Sequence, residues 1–262
     1  MDKEMKIAVL IDAENISSKY VNVILSEANN LGSVIYKRIY GDWTSSRMSS
    51  WKTTVLDNSI QPIQQYSNVT GKNSSDSSLI IDAMDLLYQG RLDGFCIVSS
   101  DSDFTRLASR LREAEIYVLG MGEQKTPRSF ISACNKFSYL DLLYDDGTKH
   151  EAPQPAEKLQ PVAPAESRGE KRPEKHVEKN GSDLKSIKKA LRELAEENSD
   201  DGGWILSGML GQLLMRRFPD FDVRNFGSKK FVPFIQSLGL FETRESGGDE
   251  NNGSRVVSFR LK

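Results

Sequence analysis

Along this chain, short unbroken apolar runs alternate with longer stretches in which apolar residues return every three or four positions. Residues 6–12 (KIAVLID), 33–40 (SVIYKRIY), a weaker 60–66, 94–99 (GFCIVS) and 115–120 (EIYVLG) read as strands. Strands apolar on both faces, separated by helices, predict a parallel sheet covered on each side. Between them, Ile80, Met84, Leu87 and Tyr88 share one helical face, while Asp82 and Asp85 lie on another and read as solvated. Phe104, Leu107, Ala108 and Leu111 form a core-facing stripe, with Ser102 as the expected N-cap. Residues 15–30 and 46–56 also read as helical, and Pro127 suits the first turn of a helix ending at Cys134.

The pattern then lapses. Residues 145–203 contain no aromatic side chain, and five of the nine prolines stand at 153, 155, 161, 164 and 173. Residues 146–181 therefore predict a disordered linker, extended by proline and charge and unable to bury a core. Periodicity returns after Ser182 and Asp183, a cap pair, with Leu184, Ile187, Leu191 and Leu194 on one face. Residues 204–218, a helix near Ser228 (Pro233 moves its start toward Val232) and strands near 240–243 and 255–261 follow. Helices ending in a hairpin make a winged-helix-like module. The expected organisation is an α/β domain over 1–145, a linker over 146–181 and a small module over 182–262.

Charge sharpens this only locally. The first region carries 15 Lys and Arg against 18 Asp and Glu, the linker 7 of each, and the last region 13 against 12. No global field draws a polyanion, so nucleic-acid contact requires local patches. Cys96 and Cys134 lack metal-ligand spacing. Two lone thiols and no leader-like start favour a reducing, cytoplasmic setting. No apolar run reaches bilayer length, so no membrane partner is expected.

The chemistry is carboxylate chemistry. The only histidines, His150 and His176, lie in the linker. Ligands bind an open parallel sheet beyond the carboxyl ends of its strands. Asp12 ends the first strand, Asp76 opens a helix after GKNSS, and Asp101 and Asp103 follow the fourth strand in VSSDSDF. Carboxylates brought together are costly to keep charged unless a hard cation sits between them. The set points to Mg²⁺ or Mn²⁺ and to phosphate chemistry, with Glu14 and Asn15 placed to orient a water. Each acid also has a structural reading: Asp103 in a helix dipole, Asp101 as a turn former, Asp76 as a cap. Asp12 resists one, because a carboxylate ending a buried apolar run is expensive without a partner. Lys72, and Arg128 with Ser129 at a helix start, are candidate phosphate contacts. Arg216, Arg217, Arg224, Lys229 and Lys230 cluster in sequence; on charge alone they read as a solvated face.

The strings IDAEN, GKNSSDSSLIIDAMDLLY, VSSDSDF and SFISACNKFSYLDLL, in that order, resemble the NYN domain of the LabA-like group within the PIN-like nuclease superfamily. The resemblance implies a Rossmann-like α/β/α domain whose acidic pocket binds Mg²⁺ or Mn²⁺ and cuts RNA. By matching motifs it carries over Asp12, Asp76, Asp101 and Asp103 as catalytic, metal-holding residues, with Asn15 beside them. WILSGMLGQLLMRRFPDFDVRNFGSKKFVPFIQSLGLFE resembles the OST-HTH, or LOTUS, domain. That implies binding of RNA or of a protein partner, and it moves the basic cluster toward RNA contact. PIN-like domains often dimerise, so a homodimer stays open.

The leading expectation is a metal-dependent endoribonuclease whose C-terminal module recruits RNA on a tether that fixes no geometry. The alternative is a non-catalytic RNA-binding adaptor with a vestigial acidic pocket. A haloacid-dehalogenase-type phosphatase fits less well, because Glu14 stands where that chemistry wants a second Asp.

Overall fold

The computed structural model describes residues 4–65, 74–144, 183–246 and 256–262, apart from the side chains of 74–76. Six parallel strands form one sheet: β1 (Lys6–Asp12), β2 (Ser33–Gly41), β3 (Gln61–Gln64), β4 (Gly94–Val98), β5 (Tyr117–Gly122) and β6 (Lys136–Tyr139). Their order is β3-β2-β1-β4-β5-β6. The chain winds outward from β1 in one direction and from β4 in the other, so β1 and β4 flank the switch point where such sheets bind ligands. In register, Asp12 faces Tyr40 of β2 and Ile11 faces Val98 of β4. The carboxyl ends of the two central strands therefore lie side by side.

Side chains alternate across the sheet, as the strand period requires. Ala8, Leu10, Phe95 and Ile97 enter one core with α3 (Ser74–Tyr88), α4 (Thr105–Glu113) and α5 (Arg128–Ala133). Ile7, Val9, Ile11, Cys96 and Val98 enter the other with α1 (Val21–Leu31), α2 (Trp51–Asp57) and α6 (Leu140–Leu143). Both faces are covered, which is why these strands read as continuous apolar runs.

Four details differ from expectation. The strand β6, KFSY, is too short to stand out from a loop. The helix expected from residue 15 begins later, after a 3₁₀ turn at Ser18–Tyr20, because the preceding backbone is engaged by Asp12. Asp101, not Ser102, caps the next turn, accepting from the Asp103 N–H at 2.9 Å. Asp82 is not solvated: Arg38 and Tyr40, two residues apart on β2, both donate to its carboxylate and pin α3 to the sheet.

The C-terminal module consists of α7 (Leu184–Asn198), β7 (Trp204–Leu206), α8 (Ser207–Arg217), α9 (Phe231–Ser237), β8 (Phe241–Ser246) and β9 (Val256–Leu261). Asp183 caps α7 by accepting from the Ser186 N–H at 2.6 Å. Ile187, Leu191, Leu210, Leu214, Phe234 and Phe259 form its core. The antiparallel sheet has three strands, β7-β9-β8, rather than a hairpin. Three-residue β7 was hidden because its partner, Arg260 opposite Trp204, lies far along the chain. Pro233 falls in the first turn of α9, where its missing N–H costs nothing.

The expected linker, with His150 and His176, lies outside the described residues. The expectation of a merely tethered module needs correcting, however. The Phe137 N–H of edge strand β6 donates to the Pro219 carbonyl at 2.8 Å, and ion pairs join the two domains beside it. Among the described residues no helix is long and apolar enough to cross a membrane. Cys96 and Cys134 are buried free thiols; burial pushes Cys134 up to about 12.

Candidate active site

Asp12 is 1% exposed at the end of β1. Its Oδ2 accepts from Asn15 Nδ2 and from Ser99 Oγ, both at 2.7 Å. Its Oδ1 accepts from the backbone N–H of Glu14 at 3.1 Å and of Asn15 at 3.4 Å. Burial pushes the carboxyl above its ordinary range, against the pull of those hydrogen bonds. Among the described residues, these four donors are all neutral dipoles.

Ser99 joins the two central strands. It is fully buried just past β4, donates to Asp12, and accepts from the Asp101 N–H at 3.1 Å. One hydroxyl thus sets the carboxylate ending β1 against the loop leaving β4. The next strand closes the rim tightly. A Cβ at Gly122 would fall 2.6 Å from the Ser99 carbonyl and 2.6 Å from Thr126 Oγ1, so the close approach of β5 requires glycine. Beyond it, Ser100 Oγ accepts from the Glu123 N–H at 2.9 Å, and Glu123 pairs with Lys125 at 2.8 Å.

Of the expected set, Asp12 and Asn15 meet by hydrogen bond, and Asp101 joins them through its backbone N–H on Ser99, while its carboxylate accepts from the Asp103 N–H. Asp103 is exposed one residue into the turn that Asp101 caps. The side chain of Asp76, and all of Lys72, lie outside the described residues. The donors around Asp12 are carboxylate, amide and hydroxyl oxygens, the hard set that suits Mg²⁺ or Mn²⁺. Among the described residues, no three His, Cys, Asp or Glu side chains gather closely enough to hold a metal ion.

The expected RNA contacts separate into two groups. Arg216, Lys229, Lys230 and Ser129 are exposed. Arg217 is tied to Glu193 at 2.6 Å. Arg224 and Arg128, 41% and 47% exposed, also meet carboxylates: Arg224 pairs with Glu27 and Asp222, and Arg128 with Asp220. A basic stripe was missed. Lys185, Lys188, Lys189 and Arg192 follow one another at 3, 4 and 7 along α7 and line a shallow concavity. Their spacing was legible beside the apolar stripe of the same helix.

A family model described as the NYN domain matches residues 6–141, and one described as the OST-HTH/LOTUS domain matches residues 182–252. Among solved structures, the chain is similar to a protein of unknown function from Vibrio parahaemolyticus. The two are 18% identical over 52% of this chain and 93% of that one, with a TM-score of 0.44, a likeness too slight to carry an argument. No curated protein matches.

Proposed function

The chain belongs to the NYN domain family, whose domains are PIN-like nucleases, and on that premise we propose that it is a divalent-metal-dependent endoribonuclease. Its second domain is of the OST-HTH/LOTUS type, which binds RNA. The observation that carries the reading is Asp12: a buried carboxylate at the switch point of the sheet, held among the described residues by neutral donors.

In this reading Asp12 and Asp101, with Asp76 and Asp103, hold Mg²⁺ or Mn²⁺. When bound, the cation supplies Lewis acidity toward a phosphodiester and neutralises charge developing on its oxygens. Asn15 and Ser99 fix the Asp12 carboxylate, so its direction is set before substrate arrives. Lys185, Lys188, Lys189 and Arg192 on α7, with Arg216, Lys229 and Lys230, offer phosphate contacts whose strength falls with salt.

The test is incubation of the protein with single-stranded and structured RNA in Mn²⁺, Mg²⁺ or EDTA. Products are expected with metal and not with EDTA, and neither Asp12→Asn nor Asp101→Asn should make them. The adaptor reading has one observation in its favour, the absence of three converging acid side chains among the described residues. RNA binding without products at any metal concentration, unchanged by Asp101→Asn, would establish it.

A further inference from the structure

The seam between the two domains is built as a lock. On one side stand Glu27 of α1, Arg128 of α5, and Lys136, Ser138 and Tyr139 of β6. On the other is the segment 218–224, FPDFDVR, between α8 and α9. Arg224 grips Glu27 through both guanidinium ends, Nη1 to Oε1 at 2.8 Å and Nη2 to Oε2 at 3.0 Å. Asp222 holds the same guanidinium from behind at 2.7 Å. Ser138 Oγ donates to Glu27 at 3.2 Å, and Lys136 lies 3.8 Å from it.

A carboxylate crosses in the opposite direction too. The Asp220 side chain, fully buried, accepts from Tyr139 O–H at 2.9 Å and from Arg128 Nη1 at 3.1 Å. Between these pairs runs the Phe137-to-Pro219 backbone bond, which occupies an otherwise open sheet edge. Glu27 is 6% exposed and Asp220 2%. A buried acid from each domain is thus satisfied by cationic or hydroxyl donors of the other. Separating the domains would leave each without those donors, which is strongly unfavourable unless water replaces them. The geometry is directional, because bidentate guanidinium–carboxylate pairing accepts one orientation.

We propose that residues 218–224 are a docking element that fixes the C-terminal module in one orientation beside β6, so that RNA held by the module is presented to the acidic rim in one register. This rests on the nuclease reading for its consequence, but not for the docking itself. Arg128 and Tyr139 stand toward the carboxyl end of the sheet, the end at which Asp12 lies. Three strand spacings separate β1 from β6, roughly 15 Å, a span of a few nucleotides. Cleavage then falls at a set spacing from the element the module holds, independent of the length of chain between the domains. A tether alone would give a spread of spacings that changes with that length.

Docking is measured without RNA. Glu113→Cys and Lys189→Cys place spin labels on exposed sites away from the seam, and native Cys96 and Cys134 are buried out of reach. The full chain should give one narrow distance distribution. Asp220→Asn with Arg224→Ala should broaden it, and so should Glu27→Gln, a change in the other domain that leaves the fold of the module untouched. A broad distribution in the parent chain, or a narrow one in both variants, overturns the docking. The register is then read from end-labelled RNA. Lengthening or shortening the 146–181 segment should leave the cleavage spacing unchanged in the docked chain and shift it in Glu27→Gln. Spacing that follows segment length in the docked chain overturns the register, whereas absence of any cleavage counts against the nuclease reading and leaves the distances to decide the docking.

Discussion

Asp12 and Glu27 are both buried carboxylates, 1% and 6% exposed, in the same domain, and their surroundings push them in opposite directions. Asp12 meets an amide, a hydroxyl and two backbone N–H groups, and burial prevails, raising its pKa. Burial also pushes Glu27 up, but the Arg224 guanidinium, with Lys136 and Ser138, outweighs it and holds the group below the usual carboxylate range. The difference separates two purposes. A buried acid with its own guanidinium is finished by folding. One given only dipoles among the described residues has no charged partner of its own there, which is why the proposed reading assigns it a divalent cation.

The largest expected effect breaks the pair at Asp12. Asp12→Asn should cut metal-dependent RNA cleavage by about a hundredfold or more, as removal of a metal-holding carboxylate does. Thermal melting gives a second readout. Saturating Mn²⁺ should stabilise the parent chain by about 2–3 kcal/mol at a hundred times its Kd and should not stabilise Asp12→Asn. Equal Mn²⁺ stabilisation of both chains would show that the ion binds elsewhere.

Glu27→Gln should act the other way, on stability and docking rather than on metal. Losing one partner of a buried pair is costly, but the Arg224 side chain is 41% exposed and recovers some water. A loss of about 1–3 kcal/mol in a denaturant titration is expected, with Mn²⁺ stabilisation intact. Ser99→Ala sharpens the contrast from the rim side. It leaves every acid in place and removes only the hydroxyl that holds Asp12. Metal affinity should fall by about tenfold, the usual scale for a residue behind a ligand, and the rise in melting temperature with Mn²⁺ reports it. An unchanged affinity would make Ser99 a packing residue.

The rim was far more legible than the seam, for a physical reason. Asp12 announces itself locally, because an acid directly after Val9, Leu10 and Ile11 is at once buried and terminal. Asp101 and Asp103 follow a strand just as plain. Ser99 needed the pairing of β1 with β4, which no short window of sequence contains. Asp82 looked solvated because its partners, Arg38 and Tyr40, lie on another strand. The pairing of Arg224 with Glu27 stayed hidden because that carboxylate stands 197 positions earlier in the chain. Strand-end chemistry is written in consecutive residues; a lock between domains is written in pairs that meet only after folding.

The smallest effect is the pH dependence of the seam, and its sign follows from the shifts. Glu27 is held below its ordinary pKa, and so is Asp222, where burial opposes and the Arg224 guanidinium prevails. A carboxyl lowered by folding binds fewer protons in the folded state. Its contribution is complete above the unfolded values, about 4.3 for Glu and 3.9 for Asp, and is lost as pH falls through the folded ones. The Arg224 guanidinium, held above its ordinary range by Glu27 and Asp222, keeps its charge throughout, so Glu27 and Asp222 titrate against it. Acid weakens many carboxylates at once, and Glu27→Gln provides the subtraction. The stability gap between the parent chain and Glu27→Gln should be constant from pH 7 to about pH 5 and should shrink below about pH 4. Melting curves for the two chains at each pH measure it. A gap that holds at pH 3 would mean that Glu27 contributes by packing and hydrogen bonding alone, and the contrast with Asp12 would lose its electrostatic basis.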